Sequence, residues 1–271
     1  MALNLAFIGY GEVGQLFARD FKARPGIEVA VYDLKFDDFA ERAPLAAAAE
    51  ASGICVADNL KQVCWGADIV ISAVTADQAV AAAEAAAPFL NPSQIYVDLN
   101  SVSPTTKRAV ADAVRPSGAA FVEFAVMSPV AGHGIASPIL AGGAGAEAIA
   151  ARLNVFGMKI KPVSVEIGVA SATKLCRSIV IKGLEAIMVD LNLAADKAGV
   201  LSAVLASLTA SYPGMDWAEV ARIMPNRVTR HGVRRAAEMR EAARMMREAG
   251  LNGDFAEAIA DRHESWAKAP L

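Results

Sequence analysis

The chain has 271 residues, which is long for one domain and comfortable for two. Hydrophobic residues make up 55% and charged residues 20%, enough for a sizeable core and the wrong balance for a disordered chain. The formal charge of −3 gives no global basic field, which argues against nucleic acid or a membrane surface as a general partner. Taken in chain order, residues 3–8 form an apolar run that ends at glycine, as a buried parallel strand does. Residues 12–23 have helical spacing through Val13, Leu16, Phe17 and Phe21, and Pro25-Gly26 breaks it. Residues 27–32 are β-rich, completing a β-α-β unit of about 30 residues.

The alternation continues. Strands are expected at 69–74, 95–99 and 120–126, with shorter ones at 138–141 and 159–163. Helices are expected at 76–90, closed by Asn91-Pro92, and at 104–114, with Ser103 as N-cap and Pro104 at the first position. The Ala-rich runs at 45–49 and 79–87 read as helices, too short and interrupted to span a bilayer. From about residue 166 only helical patterns occur. They cover 166–198 (closed by Gly199), 201–211, 216–223, 234–249 and 254–266. The expected fold is an α/β Rossmann-type doubly wound domain, residues 1–165, followed by an all-α domain, residues 166–271.

Cys55, Cys64 and Cys176 are odd in number and make no C-x-x-C pair, the pattern of free thiols in a reducing, cytoplasmic compartment. The start of the chain lacks the basic n-region of a secretory signal. His133, His231 and His263 have no metal-ligand spacing, so no metal site is expected.

The strongest motif is Gly9-Tyr10-Gly11-Glu12-Val13-Gly14, placed between a strand and a helix. Gly9 permits a tight turn, Gly11 lets the backbone approach a pyrophosphate, and Gly14 lets the helix pack on the strand. The exposed N–H groups and helix dipole then face the anion. Asp33 lies 19 residues after Gly14, at the end of the second strand. A carboxylate there accepts hydrogen bonds from ribose hydroxyls and repels a 2′-phosphate, which favours NAD over NADP. Lys35, two residues on, softens that preference and keeps NADP in play. Val74, Thr75, Asn100 and Ser101 follow two further strands, where the carboxyl ends of a parallel sheet line the ligand crevice. N-capping is an equally good reading for Thr75 and Ser103.

These landmarks resemble the β-hydroxyacid dehydrogenase family, which includes 6-phosphogluconate and 3-hydroxyisobutyrate dehydrogenases. Besides the glycine loop, Asp98-Leu99-Asn100-Ser101-Val102-Ser103-Pro104 is similar to the family's D-x-S-T-x-x-P segment at the nicotinamide side. Gly168-Val169-Ala170-Ser171-Ala172-Thr173-Lys174 is similar to its G-x-G-x-x-x-K motif, with Ala170 at the second glycine. The resemblance implies that Lys174 is catalytic and that the protein is a homodimer. His231-Gly232-Val233-Arg234-Arg235-Ala236-Ala237-Glu238-Met239 resembles a segment of a divergent branch known as 6-phosphogluconate dehydrogenase-like proteins. Ala170 is one of three departures that point to a different substrate shape. Ser178 stands one helical turn after the lysine, where the family has Asn. The substrate loop D-A-P-V-S-G-G is replaced by Glu123-Phe124-Ala125-Val126-Met127-Ser128-Pro129.

Oxidising an alcohol needs a hydride acceptor and a group to take the hydroxyl proton. Lys174 is the candidate for the second role; apolar neighbours and Arg177 at i+3 push a lysine toward useful basicity. Met127, Ser128, Pro129 and Ser178 are the candidate substrate contacts, with His231 and Arg234 for an anionic group. The competing reading of the last two is a surface helix laced by Arg234 with Glu238 and Arg244 with Glu248 at i,i+4. The expected function is NAD(H)-dependent hydride transfer on a small hydroxy compound. The alternatives are an imine reductase, disfavoured by Lys174, and a non-catalytic dinucleotide sensor, which needs the glycine loop and Asp33 but no lysine.

Overall fold

The structure, a computed structural model, describes residues 2–268. The chain divides into two compact units, Met1–Lys174 and Leu175–Leu271.

The first unit is an eight-stranded sheet in the order β3-β2-β1-β4-β5-β6-β7-β8. Its strands are β1 (Leu3–Ile8), β2 (Ile27–Tyr32), β3 (Cys55–Val56), β4 (Ile69–Ser72), β5 (Ile95–Asp98), β6 (Ala120–Val126), β7 (Pro138–Gly142) and β8 (Lys159–Ser164). All neighbouring pairs are parallel except β6 with β7. The strand order reverses beside β1, which pairs with β2 on one side and β4 on the other. That is the switch point where open α/β sheets hold ligands. Crossover helices α1 (Glu12–Lys22), α2 (Phe39–Glu50), α3 (Leu60–Cys64), α4 (Ala79–Ala86), α5 (Pro104–Val114) and α6 (Ala146–Asn154) connect the strands. Phe7, Phe17, Phe21, Ile69, Tyr96 and Phe124 are buried in one core, as expected where helices cover a parallel sheet. The β-α-β reading holds closely, and Ser103 caps α5 through its side chain.

Some elements differ from the sequence reading. The segment expected as one helix at 76–90 is α4 flanked by two 3-10 turns, Ala76–Gln78 and Ala87–Phe89. Pro88, lacking an N–H, ends the α-helical ladder there. Helix α6 was not expected, because Gly142, Gly143 and Gly145 mask its start, although Ile149 and Leu153 are buried at helical spacing.

The second unit is helical. It holds most of α7 (Val169–Lys197), then α8 (Leu201–Ser211), α9 (Trp217–Glu248) and α10 (Asp254–Lys268). Helices α9 and α10 approach so closely that a Cβ on Gly232 would lie 2.3 Å from the His263 carbonyl oxygen. The two helices expected at 216–223 and 234–249 are one continuous helix, α9, with Pro225 inside it. Proline removes the hydrogen bond that would reach the carbonyl of Ala221, four residues back. Asn192 of α7 supplies the missing donor, its Nδ2 lying 2.7 Å from the Ala221 oxygen. Replacing Asn192 with alanine strands that carbonyl beside a buried residue. A loss of about 1–3 kcal/mol is expected in urea unfolding; a variant as stable as the parent would show that the carbonyl finds another donor.

Candidate cofactor and catalytic site

The glycine loop lies at the carboxyl end of β1. Gly9 has φ +98°, and a Cβ there would sit 2.4 Å from the Ala73 carbonyl oxygen. A Cβ on Gly14 would sit 2.2 Å from the Gly9 oxygen. Both positions therefore demand glycine for reasons internal to the protein. Gly11 differs: a Cβ on it would meet nothing within 4 Å. The space beside Gly11 is open, which suits close approach of a ligand to the backbone. Gly11 is also the N-cap of α1, and no side chain caps that helix. The first-turn N–H groups at Glu12 and Val13 thus face outward, with the helix dipole, toward an anion. The Tyr10 side chain is buried beside Phe36, and burial pushes its phenol upward from the usual value.

Asp33 ties the loop to β2. Its Oδ2 accepts from the Tyr10 N–H at 2.6 Å and its Oδ1 from the Lys35 N–H at 3.0 Å. An ionised carboxylate has about four acceptor positions, so both oxygens keep capacity for ribose hydroxyls. Lys35, expected to soften the preference for NAD, has its ammonium 3.5 Å from Glu41. Val74 and Thr75 follow β4; the Val74 side chain reaches the glycine loop, and Thr75 starts a 3-10 turn without capping it.

Asn100 and Ser101 follow β5. The Asn100 Nδ2 donates to Asp98 Oδ1 at 2.5 Å and to Ser72 Oγ at 3.1 Å. Its Oδ1 is buried and has no hydrogen-bond partner among the described residues. A buried orphan acceptor at this edge fits a ligand donor group. Beneath it lies a fully buried ion pair that the sequence reading missed. Lys107 Nζ is 3.1 Å from Asp98 Oδ2 and donates to the Asp98 carbonyl at 2.9 Å. The signal was present: Lys107 shares its helix face with Val110, Ala111 and Val114, an apolar stripe with one cation in it.

Lys174, half-buried on α7, donates from Nζ to Ser101 Oγ. The structure therefore brings the catalytic candidate to the loop that follows β5. Met127, Ser128 and Pro129 leave the carboxyl end of β6, parallel to β5, and the Met127 N–H donates to the Pro138 carbonyl at 2.9 Å.

Within the helical unit, Ser178 is buried and donates to Glu238 Oε1 at 2.6 Å while accepting from Lys182 at 3.1 Å. Lys182 also pairs with Glu238 at 2.9 Å. Glu238, read from sequence as a surface partner of Arg234, is instead buried. Arg244 pairs with Glu241 at 3.5 Å rather than with Glu248 as expected. Next to this network Arg235 pairs with buried Glu185, and His263 Nε2 lies 3.0 Å from the Lys182 carbonyl. Burial holds the His263 imidazole below its ordinary pKa. His231 and Arg234 are exposed, on one strip with Arg227 and Arg230 at i, i+3, i+4 and i+7.

A glycine loop at the switch point, an acidic residue closing β2 and a lysine over the loop after β5 define a dinucleotide-binding α/β protein with a helical extension. Residues 4–164 match the NAD binding domain of 6-phosphogluconate dehydrogenase, and residues 195–266 match a domain of unknown function, DUF1932. The chain belongs to the 6-phosphogluconate dehydrogenase-like family of NAD-binding proteins. It is 37% identical to a conserved hypothetical protein of Sinorhizobium meliloti, covering 99% of this chain and 90% of that one with a TM-score of 0.85. It is 26% identical over 223 residues to the mitochondrial 3-hydroxyisobutyrate dehydrogenase of Drosophila melanogaster, 80% of this chain and 66% of that protein. The fold is shared with Mycobacterium tuberculosis 3-hydroxyisobutyrate dehydrogenase, solved with L-serine, at 20% identity, a TM-score of 0.79 and coverage of 98% and 94%. Among the described residues no helix is long and apolar enough to cross a membrane, and no cluster of metal-binding side chains occurs.

Proposed function

We propose that this protein is an NAD(H)-dependent oxidoreductase that interconverts a small hydroxy acid, or a related alcohol, with its carbonyl form. The observation that carries the reading is the hydrogen bond from Lys174 to Ser101 at the carboxyl edge of the sheet that also bears the glycine loop. Bound along that edge, a nicotinamide dinucleotide supplies the hydride acceptor. The chain's own residues do the rest. The α1 N-terminus and Gly11 receive the pyrophosphate, Asp33 the adenosine ribose, Val74 and Thr75 lie near the ribose or phosphates, and Asn100 lies at the nicotinamide side. Lys174 takes the proton from the substrate hydroxyl, or returns it to the carbonyl oxygen, and Ser101 holds the amine in place. Met127, Ser128 and Pro129 flank the substrate. On the helical unit, the exposed side chains of His231 and Arg234, with Arg227 and Arg230, form a cationic strip that suits an anionic group. Ser178, in the helical unit, is already engaged by Glu238 and Lys182, so any ligand group bound by its hydroxyl competes with both.

The cofactor assignment is tested by fluorescence titration. NADH is expected to bind at least about tenfold more tightly than NADPH, because a 2′-phosphate would meet the Asp33 carboxylate. Asp33→Ala is expected to narrow that gap. Equal or reversed affinities in the parent protein would contradict the role given to Asp33. The reaction class is tested by following NADH formation with L-serine, 3-hydroxyisobutyrate and larger hydroxy acids at neutral and alkaline pH. NADH consumption with added cyclic imines and no NADH formation with the hydroxy acids would favour the alternative reading, and tight binding with no turnover of either class the sensor.

A further inference from the structure

We propose that Glu123 is a positioning residue for Lys174; this rests on the acid–base role given to that lysine. Glu123 sits in the middle of β6 and is wholly buried. A carboxylate so placed is costly unless its charge is met. It is met by the start of α7. Glu123 Oε1 accepts from the Gly168 N–H at 2.6 Å and the Ala170 N–H at 3.1 Å, and Oε2 accepts from the Ser171 N–H at 3.4 Å. The last two belong to the N–H groups that a helix cannot satisfy internally, and all three lie at the positive end of its dipole. A strand residue thus does the work of an N-cap from 45 residues away.

The surroundings are shaped for it. Gly142 of β7 lies opposite Glu123 across the antiparallel ladder, and a Cβ on it would stand 2.5 Å from Oε1. Gly168 turns the chain with φ +106°, its Cβ position crowded by Arg108 Nη1 at 2.9 Å and Pro104 at 3.0 Å. Lys174 follows six residues later. Helical side chains lean toward the N-terminus, so the Lys174 ammonium reaches back over the turn that Glu123 secures. There it meets Ser101, whose loop is anchored by Asp98. Asp98 and Glu123 are register partners on neighbouring strands. One carboxylate fixes the loop and the other fixes the helix, and the contact between Lys174 and Ser101 is where the two meet.

Glu123 also acts by charge. Arg108 lies beside Gly168 at the same helix end, Arg177 follows Lys174 by three residues on α7, and Asp98 is matched by Lys107. Glu123 offsets the helix end. Its removal should therefore favour the neutral amine at Lys174.

The experiment needs no substrate. Lysines of the full chain are reductively methylated with ¹³C, and the Lys174 resonance is assigned by its loss in Lys174→Arg. In Glu123→Gln the Lys174 titration midpoint is expected to fall by about one pH unit, with NADH affinity within about threefold of the parent. Gly142→Ala keeps the charge but crowds the carboxylate, and is expected to move the Lys174 chemical shift and lower the midpoint by a smaller amount. It is the deciding variant if Glu123→Gln does not fold. A folded variant with the Lys174 shift and midpoint of the parent would overturn the proposal and leave Glu123 a helix cap only. Because the readout is the lysine itself, it stands apart from turnover. If Lys174 proves dispensable for catalysis, the function assigned to it fails while the effect of Glu123 on it is still measured.

Discussion

Replacing Lys174 with alanine is expected to lower turnover by about 10²–10⁴-fold, the usual worth of a general acid–base group. Dinucleotide affinity should stay within about threefold of the parent, since the proposed pyrophosphate and ribose contacts come from the α1 N-terminus and from Asp33 after β2, not from α7. The reasoning follows from where the amine sits. Lys174 is half-buried and held by Ser101 at the edge where the hydride acceptor would lie, and the substitution removes the amine while leaving the helix intact. Small alkylamines added to the variant should restore part of the rate, because they return a base of similar strength to the space the side chain vacates. Retained turnover together with retained NADH binding would mean that another group moves the proton. Loss of NADH binding would instead mean that the lysine holds the cofactor.

Lys107→Met is expected to destabilise the α/β unit by about 3–5 kcal/mol, read as a fall of roughly 10 °C or more in the melting midpoint. The substitution keeps much of the side-chain volume but leaves the Asp98 carboxylate, fully buried, without its cation. Asp98 also holds Asn100 through backbone and side-chain hydrogen bonds, so NADH affinity should fall with stability. Lys107→Met combined with Asp98→Asn should recover much of the stability, because a neutral amide no longer needs a counter-charge. Recovery of stability without recovery of NADH affinity would show that the charged pair serves the loop rather than the core. A single variant within about 1 kcal/mol of the parent would mean that the pair is not held as ions.

The first 35 residues show what was legible in advance. Strand, glycine loop, helix, strand and Asp33 are near neighbours in sequence, and each announces itself by local physics. An apolar run ends at glycine, apolar residues recur at helical spacing, and a carboxylate closes the second strand. The structure adds a distinction among the three glycines that spacing alone does not make. Gly9 and Gly14 are forced by backbone atoms, whereas Gly11 is left open.

By itself the sequence determined the α/β-then-helical order and the glycine loop between strand and helix, because a strand, a helix or a turn is specified by residues a few positions apart, whereas Lys174 was singled out by the family resemblance. Only the tertiary structure decided where the charges went. Glu238, four residues after Arg234, turned inward to Lys182, and the helix expected to stop before Pro225 ran through it because Asn192 waited on another helix. Glu123 found its donors at the start of α7, and Lys107 found Asp98 beneath the Asn100 loop. Each of these groups is satisfied by a partner on a different element, and a buried polar group is governed by that partner rather than by its neighbours in sequence.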